Sequence, residues 1–94
     1  MRVRWLRTAL RNLDVEASFI AEEDPSAARL IVERVLNAVQ MLADQPALGR
    51  SGRVPNTREL VVLMTRYIVP YRVRDETIEI LRVFHTARRP PQHW

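Results

Sequence analysis

The sequence predicts an α+β fold: an N-terminal strand, an antiparallel helical pair, and a three-stranded antiparallel meander that completes one sheet. Three observations predict it. Apolar residues alternate with arginines at the start of the chain, recur at helical spacings through two central segments, and then form strand-like runs with short links. Because the chain has 94 residues, we expect one domain that spans residues 1–94.

The first two elements follow from the spacing of apolar residues near the start of the chain. Val3 and Trp5 alternate with arginines, which is typical of a half-buried strand. Thr8 is a suitable N-cap for a helix from Ala9 to about Glu22. One stripe of this helix is expected in the core: Leu10, Leu13, Ala17 and Ile20.

A second helix is indicated by Asp24-Pro25, because a carboxylate caps free N–H groups and proline at the first helical position loses no hydrogen bond. The helix is expected to run to about Leu42. Its apolar positions keep the helical period: Ala28, Ile31, Val32, Val35, Val39 and Leu42. A connection of a few residues predicts that the two helices are antiparallel.

Three strands are predicted in the last part of the chain, after a segment without periodicity that contains both glycines. They are expected at residues 57–64, 66–74 and 77–85, with Asp75-Glu76 as a hairpin turn. Pro70 donates no ladder hydrogen bond, so local irregularity is expected around it. The tail from Pro90 to Trp94 is expected outside the sheet.

Composition excludes several classes of site. The absence of cysteine rules out a disulfide framework, a thiolate nucleophile and a cysteine-based zinc site. With two histidines in the chain, we expect no metal site and no cofactor. No segment approaches the roughly 20 apolar residues of a membrane span, and the first residues lack the apolar stretch of a secretion signal. We therefore expect a cytoplasmic protein with no membrane partner.

The charge of the chain is asymmetric. All 15 basic side chains are arginine. Residues 1–48 contain six arginines and seven acids, whereas residues 49–94 contain nine arginines and four acids. An electropositive half of this kind attracts phosphates or an acidic protein partner.

The basic end of the last strand is the first candidate site. His85, Arg88 and Arg89 follow an apolar run that needs no imidazole or guanidinium to fold, although a solvated strand end would have the same composition. Neighbouring residues on a strand point to opposite faces, so only one of Arg88 and Arg89 is expected to serve an open surface. Arg50 and Arg53 flank the glycines, where backbone freedom would let them adapt to a partner.

The order and spacing of several motifs resemble the RelE/ParE superfamily of toxins from bacterial type II toxin–antitoxin modules. The motifs are Val3-Arg-Trp5, Asp24-Pro-Ser-Ala-Ala28, Gly49-Arg50, Gly52-Arg-Val-Pro-Asn-Thr-Arg-Glu-Leu60, Tyr71-Arg-Val73 and Ile80-Leu-Arg-Val-Phe-His-Thr-Ala-Arg88. The resemblance covers nearly the whole chain. It implies a small growth-inhibiting toxin, which a cognate acidic antitoxin neutralises and whose target is either DNA gyrase or the ribosome with mRNA.

The RelE-like branch of this superfamily cleaves mRNA in the ribosomal A site, and the resemblance implies candidates for that chemistry. His85 would act as general acid or base, while Arg66, Arg82 and Arg88 would stabilise phosphate charge. Glu59 or Tyr71 would have to supply the remaining proton transfer, and Trp94 or Tyr67 would stack on a base. Such an endoribonuclease would need no metal.

The ParE-like branch inhibits DNA gyrase, and we favour it for this chain. The lysines of RelE-like active sites are impossible in a chain without lysine. Other RNA-cleaving members have a glutamate in the loop after the second helix, but residues 46–54 of this chain contain no acid. Glu59 stands next to Arg58, with which a structural ion pair is expected. Under this interpretation a set of exposed residues binds the target or the antitoxin: Arg50, Arg53, Arg58, Arg88, Arg89 and Trp94. A non-toxic partner-binding domain is the remaining alternative.

Overall fold

A computed structural model describes all 94 residues and contains two helices and a six-stranded mixed sheet. The helices are α1 (Arg7–Ala21) and α2 (Pro25–Met41). The strands are β1 (Arg2–Trp5), β2 (Arg50–Ser51), β3 (Arg58–Val61), β4 (Tyr67–Arg74), β5 (Thr77–Ile80) and β6 (Phe84–His85). The predicted α+β class, the helical pair and the order of the main elements are confirmed.

The sheet has the order β1-β5-β4-β3-β2, and β6 pairs with the beginning of β4. The predicted meander is formed by β3, β4 and β5, which pair antiparallel. β1 lies parallel to β5, with Val3 opposite Ile78 and Trp5 opposite Ile80. The short strand β2 was not predicted; it pairs with two residues of β3, and its sequence is too short for a period to be visible.

The two faces of the sheet differ in composition because side chains alternate along each strand. The inner face packs on the helices in a core cluster of 12 buried residues, which includes Tyr71, Ile78 and Ile80 of the sheet together with Val35 and Val39 of α2. The outer face bears Arg4, Glu79 and Arg72, which occupy paired positions on β1, β5 and β4. Any residue of these strands can therefore be assigned to one face from its register.

The start of α2 agrees with the prediction, and the start of α1 does not. Asp24 caps α2, and its Oδ1 accepts a hydrogen bond of 3.1 Å from the Ala27 N–H. The prediction that Thr8 caps α1 is wrong, since α1 begins at Arg7 after Leu6 and has no side-chain cap. The core stripe of α1 is also rotated: Leu10 is 51% exposed, whereas Ala9 is fully buried. A small side chain at Ala9 lets α1 approach the core closely, and hydrophobicity alone does not reveal this rotation.

The last predicted strand, residues 77–85, is interrupted, and Pro70 accounts for the interruption. β5 ends at Ile80 and β6 begins at Phe84. The Pro70 carbonyl accepts a hydrogen bond of 2.9 Å from the Leu81 N–H, but proline has no N–H to return to the Leu81 carbonyl. The Arg82 guanidinium donates to that carbonyl instead, at 2.7 Å. The expected irregularity around Pro70 is therefore present. It lies between β4 and the residues after β5, where proline lacks the backbone N–H that would complete the pairing.

Both glycines serve close packing rather than flexibility. A Cβ atom on Gly49 would lie 2.6 Å from Cε1 of the Tyr71 ring, and one on Gly52 would lie 2.8 Å from the Thr57 carbonyl oxygen. Neither glycine has a positive φ. The Gly49 N–H donates to the Tyr71 hydroxyl, which itself donates to the Pro46 carbonyl, each at 2.8 Å. Tyr71 is therefore packed, and the segment around it has little of the freedom expected from its glycines.

Candidate functional site

His85 lies on β6, opposite Tyr67 of β4. The two rings meet edge to face with centroids 5.2 Å apart. The Nδ1 atom of His85 accepts a hydrogen bond of 3.1 Å from the Ala87 N–H, two residues further on. One nitrogen of the imidazole is thus occupied by a local turn, which fixes the ring where the chain leaves the sheet.

A buried carboxylate on α1 is the centre of a polar cluster at this end of the sheet. Glu16 is 7% exposed. Its Oε1 accepts a hydrogen bond of 3.0 Å from the Tyr67 hydroxyl, and both its oxygens lie 3.1 Å from Nη2 of Arg88. Burial and the hydrogen bond to Glu16 raise the pKa of Tyr67 to about 12. Arg88 is therefore engaged within the molecule, although more than half of its side chain is exposed.

Glu16 was not predicted to be a site residue, but it carries a recognisable signal. It lies three residues after Leu13 and four before Ile20, so it falls within the apolar stripe of α1. A charged residue in such a stripe requires a partner that forms an ion pair or hydrogen bonds with it. The sequence does not say which arginine supplies the partner, because Arg88 comes from a distant element.

The predicted catalytic residues are only partly brought together. Arg66 and His85 line a common pocket of about 520 Å³ between α1 and the sheet, to which Glu16, Tyr67 and Arg88 also contribute. Arg82 does not line this pocket. Its guanidinium donates to the carbonyls of Leu81 and Trp94 and so links the tail to the sheet. The pocket contains an acid, an imidazole and two cations, but the carboxylate is already held by Tyr67 and Arg88.

Arg50 and Arg53 hold a second buried glutamate on the outer face. Glu59 is 2% exposed, and its two oxygens lie 3.1 Å from Nη2 of Arg50 and 3.2 Å from Nε of Arg53. The prediction of an Arg58–Glu59 ion pair is wrong, because neighbouring residues on β3 point to opposite faces of the sheet. Arg58 instead donates to the Gly49 carbonyl at 2.8 Å.

A third buried glutamate, Glu79, completes the set of ion pairs on the outer face. Its carboxylate lies 2.6 Å from Nε of Arg72 and 3.4 Å from Nη2 of Arg74. The hydrogen bond from Arg72 is the main cause of a lowered Glu79 pKa, and the charges of both arginines act in the same direction, against the effect of burial.

The C-terminal tail folds back onto the outer face and forms no strand. The rings of Trp94 and Phe84 lie 5.3 Å apart with an interplanar angle of 65°. Trp94 is therefore only partly accessible to a partner. Arg89, in contrast, is exposed and forms no ion pair within the chain.

An apolar groove runs along the edge of β3 and was not predicted. It has a volume of about 610 Å³ and lies between α2 and the segment from Leu60 to Met64. Leu63 and Met64 are the most exposed large apolar side chains of the molecule, at 79% and 80%. β2 pairs only with Arg58 and Glu59, so the outer edge of β3 has no neighbouring strand beyond that point. Exposed apolar surface beside an unpaired strand edge is typical of a protein interface.

No group of three or more metal-ligating side chains is found in the structure. No helix combines the length and the apolar character that crossing a membrane would require.

Comparisons with known proteins agree with the fold and the length of the chain. Residues 3–90 match the family described as ParE toxin of type II toxin-antitoxin system, parDE. The protein Y4kP of Sinorhizobium fredii is 46% identical over 91 residues, which cover 97% of this chain and 94% of that relative. Toxin RelE2 of Caulobacter vibrioides is 34% identical over 87 residues, covering 93% of this chain and 97% of the relative.

A solved structure has the same architecture. It is described as the chromosomal ParDE TA system from P. aeruginosa, with a TM-score of 0.81 and 27% identity, and the match covers 90% of this chain and 95% of that one. The superfamily resemblance seen in the motifs is confirmed, and a toxin of this kind has an antitoxin as its partner. The chain belongs to the ParE toxin family of type II toxin–antitoxin systems.

Proposed function

We propose that this toxin stops growth by inhibiting DNA gyrase, without cleaving RNA. The observation that carries the proposal is that two of the groups predicted for RNA cleavage, Arg82 and Glu59, are engaged in structural contacts. Arg82 replaces the hydrogen bond that Pro70 cannot form, and Glu59 is held between Arg50 and Arg53. A catalytic acid or base has to be free to exchange protons with its substrate.

Controlled expression in growing cells separates the two targets. Soon after induction, we expect DNA synthesis to fall before protein synthesis, with an SOS response and intact test messages in primer extension. The purified toxin should also inhibit gyrase in a supercoiling assay. Cuts at the ribosomal A site with unimpaired supercoiling would contradict the proposal. Normal growth after induction would favour a non-toxic partner-binding domain.

An endoribonuclease is the second candidate, and one observation favours it. His85 and Arg66 share a pocket with Arg88, and an imidazole with two guanidinium groups can protonate a leaving oxygen and stabilise a phosphorane.

The variant His85→Ala tests this site directly. If gyrase is the target, the folded variant keeps its full toxicity. If His85 is a general acid or base, toxicity falls by a factor of about 10² to 10⁴. Thermal unfolding of the variant shows whether a loss of toxicity comes from misfolding.

We further propose that an acidic antitoxin binds the apolar groove beside β3. The free edge of β3 beyond Glu59 offers unpaired backbone groups to an added strand, and Leu63 and Met64 offer apolar contact. Arg34 and Arg50 stand at the borders of the groove and would attract acidic side chains. A disordered segment that folds onto this surface would cover it over a large area.

A further inference from the structure

Six arginines share the outer face of the sheet, and we call this surface the arginine face. Arg2 and Arg4 lie on β1, opposite Thr77 and Glu79 of β5, which in turn pair with Arg74 and Arg72 of β4. On the other side of β4, Glu59 is opposite Pro70 and is held by the last two arginines of the set. The complete set is Arg2, Arg4, Arg50, Arg53, Arg72 and Arg74.

The arginine face has an excess of positive charge. Within the sheet its six arginines are opposed by two acids, Glu59 and Glu79, while Asp75 and Glu76 of the neighbouring turn lie beside Arg2 at one end of the face. Glu59 and Glu79 are buried and are less than a tenth exposed. They therefore hold the guanidinium groups in place without presenting negative charge to a ligand.

The face lacks the features of a protein interface. Its outer-facing positions on β1, β5 and the second half of β4 include no exposed large apolar residue. Protein interfaces have an apolar centre, whereas binding to the nucleic-acid backbone is dominated by arginine and lysine contacts to phosphate. Of the twelve exposed large apolar residues, five line the groove beside β3, and five more lie elsewhere on the two helices.

The same positions indicate a duplex rather than a single strand. Proteins that bind single strands stack bases on aromatic side chains, but the outer-facing positions of β1, β5 and the second half of β4 have none. Trp5 and Tyr71 point to the inner face, and the rings of Phe84 and Trp94 pack on each other beside the beginning of β4. From β1 to β2 the sheet spans about 19 Å, at roughly 4.8 Å per strand spacing. This exceeds the width of a major groove, about 12 Å, so the face lies across phosphates and does not read bases.

We propose that the arginine face binds the phosphate backbone of duplex DNA without sequence preference. The phosphate chemistry follows from the face itself; the choice of DNA over RNA rests on the proposed gyrase target. In the complex, this contact would hold the toxin beside the DNA on which its target acts.

Fluorescence anisotropy with a labelled DNA duplex of arbitrary sequence tests the proposal. We expect a dissociation constant on the order of 10⁻⁴ to 10⁻⁶ M at physiological salt, equal for unrelated sequences. In Arg2→Gln/Arg4→Gln, the slope of log K against log salt should become shallower by about 1.8, or about 0.9 for each phosphate that is no longer neutralised. Neither arginine forms an ion pair, so their replacement leaves no buried carboxylate without its partner.

The matched control is Arg11→Gln/Arg29→Gln, which removes the same charge from exposed positions on the two helices. Its slope should equal that of the unmodified toxin, and an equal change of slope in both variants would overturn the proposal. If Arg2→Gln/Arg4→Gln does not fold, Arg74→Gln replaces it, because Arg72 still holds Glu79; its slope should become shallower by about 0.9.

Competitors distinguish other ligands. Tighter binding of single-stranded DNA, duplex RNA or polyglutamate than of duplex DNA would each overturn the proposal. The supercoiling assay tests the proposed function separately from DNA binding. If the toxin inhibits supercoiling but does not bind DNA, only the inference about the arginine face is rejected. If the toxin binds DNA but does not inhibit supercoiling, the proposed function is rejected.

Discussion

Individual side chains show how this chain uses its arginines. Three buried glutamates, at positions 16, 59 and 79, each form ion pairs with one or two arginines, five in all. A sixth structural arginine, Arg82, replaces a missing backbone donor. Much of the basic residue content that first suggested a catalytic site therefore stabilises the fold. Burying a carboxylate is costly unless it is paired, so these arginines cannot be removed without consequence.

Glu79 gives a prediction about pH. Its lowered pKa means that the carboxylate stabilises the folded state above pH 4.5, the ordinary value, and loses this contribution as pH falls toward the folded-state pKa. In urea unfolding at pH 7, Glu79→Gln should cost about 1 kcal/mol, since the partner arginines are partly exposed and solvent weakens the pair. The difference should shrink below pH 4.

The exposed Glu33 provides the control, because it has no ion pair. Glu33→Gln should change stability little at either pH. A Glu79→Gln deficit that remained constant down to pH 3 would show that the carboxylate charge does not stabilise the fold.

At the scale of elements, the hairpin between β4 and β5 is strained. Asp75 and Glu76 have φ values of 53° and 59°, as a two-residue turn between right-twisted strands requires. Glycine adopts this conformation at lower cost than glutamate. Glu76→Gly should therefore raise the free energy of unfolding by about 0.5 to 1 kcal/mol in urea denaturation.

The same change from glutamate to glycine within a helix should have the opposite effect on the free energy of unfolding. Glu33 is exposed in the interior of α2, and Glu33→Gly should lower stability by about 1 kcal/mol. If both variants were destabilised, backbone strain at Glu76 would not be the controlling factor.

The sequence predicted the helices, strands and turns better than the contacts between distant parts of the chain. Local signals predicted the Asp24 cap, the Asp75-Glu76 turn and the meander, because each depends on residues close together in the chain. The rotation of α1, the pairing of β1 with β5 and the Glu16–Arg88 ion pair depend on distant partners, which no local pattern specifies. The break after β5 lies between these extremes, since Pro70 signals it but does not say which strand is interrupted.

At the scale of the molecule, two surfaces of different chemistry are separated. The lining of the groove beside β3 is mainly apolar, whereas the arginine face is charged, and the two surfaces adjoin at Arg50 and Glu59. Partners of different kinds therefore have chemically different places to bind. The sequence indicated the charge through its asymmetry, but the groove depends on the end of β2 and on the packing of α2, and could not be predicted from residue order.

The groove gives a prediction about neutralisation. Leu63→Glu places a negative charge at a position that is 79% exposed, so stability should change by less than about 0.5 kcal/mol. If an acidic antitoxin binds the groove as proposed, its affinity should fall at least tenfold, equivalent to about 1.4 kcal/mol, through weaker apolar packing and charge repulsion. Isothermal titration at two salt concentrations measures both effects, because the repulsive part weakens with salt.

Val15→Glu makes a comparable change at a 56% exposed position on α1, away from the groove. It should leave the affinity nearly unchanged. An equal loss of affinity in both variants would move the antitoxin to another surface or assign the effect to net charge.

The parallel pairing of β1 with β5 also determines when the sheet of a newly made chain can be completed. Arg2 pairs with Thr77, so β1 cannot take its place in the sheet until β5 has been synthesised. At about 5 to 20 residues per second, this interval lasts about 4 to 15 s. The nascent chain therefore lacks a complete sheet during most of translation, and an antitoxin that is already present has that interval in which to meet the chain before its sheet is complete.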